Sequence, residues 1–423
     1  MKVYLDTVGC RLNQSEIEIM ARQFRAAGHE IVSLAQNADL AVVNTCAVTA
    51  EAVSDSRGKL RQVARTGACD IVATGCWATL QPEQAAALPN VSRVVDNCRK
   101  DSLVSEILDL PEEAFQIEPI ARQPLPGLRR RTRAFIKAQD GCNNHCTFCI
   151  TTIARGESSS RPLAAVIADI QSALDGGAKE IVLTGVHLGS WGQELGLHLR
   201  DLIRAILREM DVPRLRLSSL EPWDLDDSFF SLWEDSRLCR HLHLPLQSGC
   251  ARTLRRMARK TTPASFRKLV AAARQSMPDV AITTDVIAGF PGETESEFAE
   301  SLDFVGEMDF AGGHAFTYSP RPGTAAARMG EQLELQIRKE RNAIYRSLFD
   351  EAARKFQERF IGWKMPVLWE STTQLDDRGW RVEGWTGNYL RVAATAPRPM
   401  WNEISPVLLQ SFVGDGLTGQ IAA

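Results

Sequence analysis

The sequence predicts an α/β protein made of an N-terminal parallel α/β domain, a partial barrel of six βα units and a small C-terminal all-β barrel. Three observations carry this. Short apolar runs alternate with helical patterns through most of the 423 residues, and such alternation builds parallel sheets with helices on their faces. Between 132 and about 357 the alternation recurs six times, short of the eight units that close a barrel. Beyond 360 the helical period stops, and apolar runs at 367–370, 380–385, 390–393 and 407–412 are punctuated by Gly379, Gly384, Gly387 and Gly414. Closely spaced strands of this kind make a small barrel.

Taken in order, Val3-Tyr4-Leu5 reads as a strand before a helix at 15–27. Leu40-Ala41-Val42-Val43 reads as a strand before a helix at 50–65, and Ile71-Val72-Ala73 as one before a helix at 82–88. Residues 111–131 lose periodicity and carry Pro111, Pro119, Pro124 and Pro126, the composition of a linker. Further strands are expected at 134–138, 180–184, 214–218, 241–246, 281–287 and 314–318. Helices are expected at 164–174, 199–210, 266–277 and 295–307, with a long closing helix at 336–360. The expected domains are 1–118, 128–357 and 360–423, and three domains suit the length at roughly 150 residues each.

Apolar residues make up 44% and charged residues 24% of the chain, a globular composition that excludes disorder, collagen and coiled coil. Lys plus Arg is 49 against 52 for Asp plus Glu, a net charge of −3, so any nucleic-acid contact must use local patches. No apolar run reaches the ~18 residues of a membrane span. Asp6 also interrupts the place where a secretion signal needs its apolar core. No membrane association and a cytoplasmic location are therefore expected. Two stretches contain bases and no acids. One is 121–137, with Arg122, Arg129, Arg130, Arg131, Arg133 and Lys137. The other is 251–268, with Arg252, Arg255, Arg256, Arg259, Lys260, Arg267 and Lys268. Both suit phosphate contacts, a solvated linker and a solvated helix face being the alternatives.

Ten cysteines in this length are too sparse for a disulfide scaffold, and a cytosolic chain keeps them reduced. Cys142, Cys146 and Cys149 form a CxxxCxxC directly after the first barrel strand, on the face where βα barrels carry their chemistry. Three thiolates on one loop can hold three irons of a [4Fe–4S] cluster and leave the fourth open to a small molecule. Structural zinc is the alternative; it needs four ligands, and His145 is too close in sequence to complete the set without strain. Cys10, Cys46 and Cys76 each follow an apolar strand by three to five residues, 36 and 30 residues apart, about one βα unit. In a parallel sheet those loops leave at one carboxyl edge, where such sheets bind ligands, so three distant thiols converge on a second cluster site. The alternative is three separately buried structural cysteines. Cys69, Cys98, Cys239 and Cys250 lack the pattern.

Four polar segments end the other barrel strands: Leu183-Thr184-Gly185-Val186, Ser218-Ser219-Leu220-Glu221-Pro222, Pro245-Leu246-Gln247-Ser248 and Ala288-Gly289-Phe290-Pro291-Gly292-Glu293. Gathered on one rim they make a pocket for a polar cofactor. With the six cysteines, these segments and Tyr318-Ser319-Pro320-Arg321-Pro322-Gly323-Thr324, the chain resembles the radical S-adenosylmethionine methylthiotransferases over essentially its whole length. Asn44-Thr45-Cys46-Ala47-Val48-Thr49 and Gly185-Val186-His187-Leu188-Gly189 look most like the branch acting on N6-threonylcarbamoyladenosine in tRNA. The branches for isopentenyladenosine and for a ribosomal-protein aspartate are the alternatives within the family. From another class, the alternative is a non-catalytic RNA-binding metalloprotein.

The resemblance implies a radical-SAM partial barrel, a TRAM-like C-terminal module for RNA, two [4Fe–4S] clusters and S-adenosyl-L-methionine. Cys142, Cys146 and Cys149 would hold the cluster that binds and cleaves the cofactor, with Phe148 beside the adenine. Gly185, Glu221, Gln247 and Asp285 are further cofactor-binding candidates. Cys10, Cys46 and Cys76 would hold the auxiliary cluster, whose open iron carries the methylated sulfur. The expected partners are the tRNA anticodon loop and an electron donor such as a flavodoxin or ferredoxin, and nothing in the sequence demands a dimer. Arg155-Gly156-Glu157-Ser158-Ser159-Ser160-Arg161 is poorer in bases than the family usually shows, and Cys250 stands where a serine is common. From Glu358 onward the chain has six bases, seven acids and Trp363, Trp369, Trp380, Trp385 and Trp401; most of the tryptophans are expected in the module's core and some free to stack on bases.

Overall fold

Six consecutive buried residues, Leu40–Thr45, form the central strand of the first sheet in the computed structural model. The structure describes residues 1–66, 70–115, 123, 132–375 and 379–422. These fall into two units, the first made of Met1–Asn144, Cys149–Gly177 and Leu183–His187, the second of the remainder. Cys69, most of the linker at 111–131 and Arg122, Arg129, Arg130 and Arg131 lie outside the described residues.

The first unit opens with β1 (Lys2–Thr7), α1 (Arg11–Ala26), β2 (Glu30–Val32), β3 (Leu40–Thr45), α2 (Ala50–Arg65) and β4 (Asp70–Gly75). It continues through α3 (Cys76–Leu80), α4 (Pro82–Ala86), β5 (Val91–Val95) and α5 (Leu103–Leu108). All five strands are parallel, in the order β2-β1-β3-β4-β5. Alternate residues of β3 serve opposite faces, as a two-residue period requires. Leu40 and Val42 pack with Ile17, Met20 and Phe24 of α1. Ala41 and Val43 pack with Leu60 and Val63 of α2 and Trp77 of α3. A strand covered on both faces is apolar throughout, which is why 40–43 is so legible. By contrast β2 and β5 are short edge strands with Glu30, Ser92 and Arg93 exposed, and no apolar run announces them.

After the linker come β6 (Arg133–Lys137), β7 (Gln139–Asp140), α6 (Thr151–Arg155), β8 (Ser159–Ser160), α7 (Leu163–Asp175) and β9 (Glu180–Thr184). The cysteine motif lies between β7 and β8, which pair antiparallel. The division between the units falls within β9.

The second unit continues with α8 (Leu199–Glu209), β10 (Leu215–Leu217), β11 (His241–His243), α9 (Ala251–Arg256), α10 (Pro263–Ser276), β12 (Ala281–Ala288), α11 (Glu295–Glu307), β13 (Gly312–Thr317) and α12 (Leu335–Glu358). The six expected barrel strands are all present. Their hydrogen-bonded ladder breaks after the third, giving β10-β9-β6 and β11-β12-β13. Near the break, the parallel bridge Leu215–Leu238 and the Leu220 N–H donating to His243 O at 3.0 Å take the place of a ladder. The cause is the shortness of β10 and β11, three residues each, with Pro213 before β10 and Pro222 soon after it; proline has no N–H to give to a ladder.

A closed barrel follows, β14 (Lys364–Gln374), β15 (Trp380–Thr386), β16 (Arg391–Ala396), β17 (Ile404–Val413) and β18 (Gly416–Ile421), in the order β14-β15-β16-β18-β17. The fifth strand, rich in glycine, is one the sequence did not announce. The interior is filled by Val367, Trp369, Val382, Val392, Val407 and Leu417. Of the five tryptophans, only Trp369 is fully buried, its Nε1 donating to Ser405 Oγ at 2.8 Å; Trp363 is 51% exposed. The expectation of a tryptophan core is thus corrected: so small a barrel is filled by valines around one indole.

The turn joining β15 to β16 is held by the amino ends of the preceding strands. Arg216 donates to Glu180 at 2.6 Å and to Gly387 O at 3.0 Å. Arg214 donates to Trp385 O at 3.0 Å and Thr386 O at 2.8 Å, and pairs with the same Glu180 at 2.8 Å. Tyr389 inserts between the Arg216 guanidinium, 4.3 Å from its ring centre, and the His241 ring at 4.5 Å. Arg216 and Glu180 are each 1% exposed. Removing one member of such a buried pair strands the other's charge. Glu180→Met, which leaves the buried Arg214 and Arg216 without their carboxylate, is therefore expected to lower unfolding stability in urea by about 3–5 kcal/mol; a loss below about 1 kcal/mol, the range of exposed ion pairs, would show that this cluster does not hold the turn.

Candidate active site

The strand order of the first sheet reverses between β1 and β3, and open sheets bind ligands at the carboxyl ends beside such a switch. Cys10 follows β1, Cys46 follows β3 and Cys76 follows β4, so the three expected thiols are brought to that edge. Gly9, at φ +103°, makes the approach possible: a Cβ there would lie 2.5 Å from Cys46 Cβ and 2.6 Å from its Sγ. Asn97 Nδ2 faces Cys76 Sγ at 3.6 Å, and Asn13 Oδ1 faces Cys10 Sγ at 3.6 Å. Cys46 and Cys76 are buried, while Cys10 keeps access to solvent within dense surroundings. Burial pushes the Cys46 thiol up to about 11, with the neighbouring Cys10 and Cys76 adding to the rise. Burial likewise raises Cys10, against the opposing charge of Arg155. The raised Cys10 and Cys46 thiols would give up their protons to a group that takes them as thiolates.

Cys142 and Cys149 fall in the first unit and Cys146 in the second, and each part has its own support. In the first unit, Cys142 Sγ accepts the Asn144 N–H at 3.4 Å, and Asn144 Nδ2 meets His187 Nδ1 at 3.3 Å. Burial opposes ionisation of Cys142, but its hydrogen bonds from His187 and Asn144 outweigh that and hold the thiol below its ordinary value. Gly185 lies against Gln139: a Cβ on it would meet Gln139 Oε1 at 2.9 Å. That same oxygen accepts the His187 N–H at 2.7 Å. Packing thus accounts for this glycine.

In the second unit, Arg259 reaches Cys146 Sγ at 3.8 Å and clamps Glu221 with two bonds, 3.1 and 2.7 Å. It also donates to Pro245 O at 2.6 Å and lies 4.5 Å above the Trp223 ring. Phe148 packs edge-on against Phe290 at 6.4 Å. Gln247 has φ +71° and pairs across to Val286; its N–H donates to Asp285 O at 2.8 Å. His243 Nε2 lies 3.1 Å from Asp285 Oδ2, and Asp285 Oδ1 is buried with no partner among the described residues. Cys146, Glu221 and Arg259 therefore form one group, and Gln247 and Asp285 another. Cys250 is buried against Glu300 at 3.2 Å.

Several bases read as phosphate contacts have other work. Arg259 is 1% exposed in its pair with Glu221, Arg256 is paired with Glu297, and Arg267 with Glu307. In 251–268 this leaves Arg252, Arg255, Lys260 and Lys268 exposed. Lys137 is 4% exposed between Asp140 and Asp101. Arg155 and Arg161 are likewise engaged, by Glu16 and Asp140 and by Asp169. Sequence reading missed Asn13, Glu16, Asn97, Arg155 and Arg259 as parts of the site. The only local signal was their closeness to a cysteine.

Among the described residues no three His, Cys, Asp or Glu side chains are gathered to hold a single metal ion. One ion draws all its ligands to one centre, whereas a cubic cluster gives each thiolate its own iron. Two sets of three cysteines, one cradled by a glycine with no room for a side chain, fit clusters of that kind.

Barrel strands with a cysteine triad at a carboxyl end define a radical S-adenosylmethionine protein, and comparison agrees. Residues 136–305 match the Radical SAM superfamily, and residues 2–96 match "Uncharacterized protein family UPF0004". The chain is 35% identical to the threonylcarbamoyladenosine tRNA methylthiotransferase MtaB of Bacillus subtilis, over 96% of this chain and 93% of that protein. It is 36% identical to the protein of that name from Thermotoga maritima, over 87% and 86%. It is 34% identical to the tRNA-2-methylthio-N(6)-dimethylallyladenosine synthase of Erythrobacter litoralis, over 86% and 85%. The fold is similar to the radical S-adenosylmethionine methyltransferase TsrM of Kitasatospora setae (TM-score 0.59, 16% identity, 77% of this chain and 75% of that one). The chain belongs to the radical S-adenosylmethionine methylthiotransferases.

Gly9→Ala is expected to displace Cys46, because it adds a Cβ where none fits and strains a left-handed backbone. After anaerobic reconstitution, iron analysis should find about half the iron of the parent chain; undiminished iron would show that the glycine cradle is dispensable.

Proposed function

We propose that this chain transfers a methylthio group to C2 of N6-threonylcarbamoyladenosine next to the anticodon in tRNA. The observation that carries this is identity of 35–36% to the two threonylcarbamoyladenosine tRNA methylthiotransferases, one of them matched almost end to end. Membership of an enzyme family sets aside the non-catalytic reading.

Cys142, Cys146 and Cys149 would hold one [4Fe–4S] cluster and Cys10, Cys46 and Cys76 the other. When bound, the first supplies an electron to S-adenosyl-L-methionine and the second presents the sulfur to be inserted. Glu221, fixed by Arg259, and the orphaned oxygen of Asp285 offer acceptors for the polar parts of the cofactor. Gln247, held in an unusual backbone conformation, turns its peptide toward the same rim. Phe148 and Phe290 give an apolar wall for the adenine. The exposed Arg252, Arg255, Lys260 and Lys268 suit the phosphates of the tRNA. The C-terminal barrel is read as a TRAM-like module, with Trp363, Trp380, Trp385 and Trp401 open wholly or in part to stacking. Electrons come from a donor of the flavodoxin or ferredoxin class, and a monomer suffices. No helix among the described residues is long and apolar enough to cross a membrane.

The test is mass spectrometry of nucleosides from bulk tRNA of a host lacking such an enzyme, with and without this chain. Appearance of 2-methylthio-N6-threonylcarbamoyladenosine is the expected result. Appearance of the isopentenyl analogue alone would move the substrate to the branch of the 34%-identical relative, and unchanged tRNA would sink the tRNA reading. Cys46→Ala should abolish the methylthio product while the purified chain still cleaves S-adenosyl-L-methionine; Cys146→Ala should abolish both.

A further inference from the structure

Around the Cys10, Cys46 and Cys76 loops lies a buried ionic group that the proposed chemistry leaves unused, all of it within the first unit. Arg155 is 2% exposed and donates to Glu16 Oε1 at 2.8 Å, to both Asp140 oxygens at 2.9 and 3.0 Å, and to Asn13 Oδ1 at 2.7 Å. Lys100, 1% exposed, lies 2.8 Å from Glu16 Oε2. Lys137 lies 2.9 Å from Asp140 and 3.6 Å from Glu16. Burial alone would raise the Glu16 carboxyl, but Arg155, Lys100 and Lys137 together hold it well below the ordinary carboxylate range.

The group is tied to the cysteines through Asn13. Its Nδ2 donates to Val8 O at 2.8 Å and to Thr45 O at 3.0 Å, carbonyls on the loops that carry Cys10 and Cys46, and its Oδ1 faces Cys10 Sγ. Asn44 Nδ2 donates to Asn13 O and to Glu16 Oε2, both at 3.0 Å. The charge of Arg155 bears on Cys10 and on Cys76, and that of Lys100 on Cys76.

The charges do not balance inside the protein. Among the described residues, the buried carboxylates facing Arg155, Lys100 and Lys137 are Glu16 and Asp140, while Asp101, 3.1 Å from Lys137, is 76% exposed. A buried cation in excess is costly unless a negative group compensates it, and beside it stand three thiols awaiting an anionic cluster. We propose that Arg155 and Lys100 set the reduction potential of the cluster held by Cys10, Cys46 and Cys76, with Arg155 also acting as a positioning residue that keeps the Cys10 and Cys46 loops in register through Asn13. This rests on the reading that those cysteines hold a cluster. Reduction adds one electron, supplied in the titration by dithionite, with no bond made or broken. Nearby positive charge favours the reduced form and nearby negative charge opposes it.

The experiment uses the full-length chain carrying Cys142→Ala, Cys146→Ala and Cys149→Ala, reconstituted anaerobically so that only the second cluster loads, and titrated with dithionite under electron paramagnetic resonance. Arg155→Gln and Lys100→Gln should each move the oxidised-to-reduced ratio at a given potential at least tenfold toward oxidised, or about 59 mV for one electron. Glu16→Gln should move it toward reduced, and Arg155→Lys should stay near the parent. Opposite signs for Arg155→Gln and Glu16→Gln are what a purely structural role would not produce. If Arg155→Gln fails to hold iron, Lys100→Gln and Glu16→Gln still decide by their signs. Iron-loaded variants with the parent's ratio, or with shifts of one sign, would overturn the proposal. A parent that binds no iron would overturn the cluster reading beneath it.

Discussion

A parallel strand can deliver the loop that follows it to only one edge of its sheet. From that constraint comes most of what is functional in the first unit. Cys10, Cys46 and Cys76 lie tens of residues apart, yet β1, β3 and β4 are adjacent and parallel, so their three loops have nowhere else to go. What remains is to pack those loops closely at that edge. Gly9 allows it by having no side chain, and Asn13 fixes it by bonding carbonyls on two of the loops at once. The helix that carries Asn13 begins immediately after Cys10, so loop, cysteine and brace are one continuous piece of chain.

Burying several full charges demands compensation, and the two units group their charges in different ways. In the first, Glu16 is the centre and cations surround it; in the second, Glu180 holds two arginines whose remaining donors are spent on backbone carbonyls of the β15–β16 turn. Arg259 is a third case, a buried guanidinium shared by a carboxylate, a carbonyl, an indole face and a thiol. In each, the planar fork of arginine meets several acceptors at once, which a lysine could not do in the same geometry.

The parts of the fold legible in the sequence were those where local pattern and global environment agree. The run at 40–43 is apolar because it is central, and the helix at 295–307 is bounded because Thr294 and Glu297 cap it reciprocally. Edge strands such as Val91–Val95 escaped notice because exposure lets them carry polar residues. The start of α1 was placed four residues late because Arg11, Asn13 and Gln14 show no apolar period, although Asn13 is buried for its bonds. The cysteines were legible because their offset from a strand end is a local property. The partners of Arg155 and Arg259 were not, since Glu16 lies 139 residues away and Glu221 lies 38. Read locally, such arginines look like a basic surface; only folding reveals which of them never meets solvent.

The seating of the β15–β16 turn on Arg214, Arg216 and His241 has a bearing on how the chain is made. Synthesis proceeds from the amino end, and domains tend to fold as they emerge. The strands that carry Arg214 and Arg216 are complete some 170 residues before the carbonyls of Thr386 and Gly387 exist. Until those last residues leave the ribosome, one of the two compact units holds two guanidiniums with a single carboxylate between them. The first unit has no such wait, since its internal partners all precede residue 188. The order of synthesis therefore favours a nascent chain whose cysteine-bearing sheet is finished early, while Arg214 and Arg216 gain their last acceptors only when the β15–β16 turn is made.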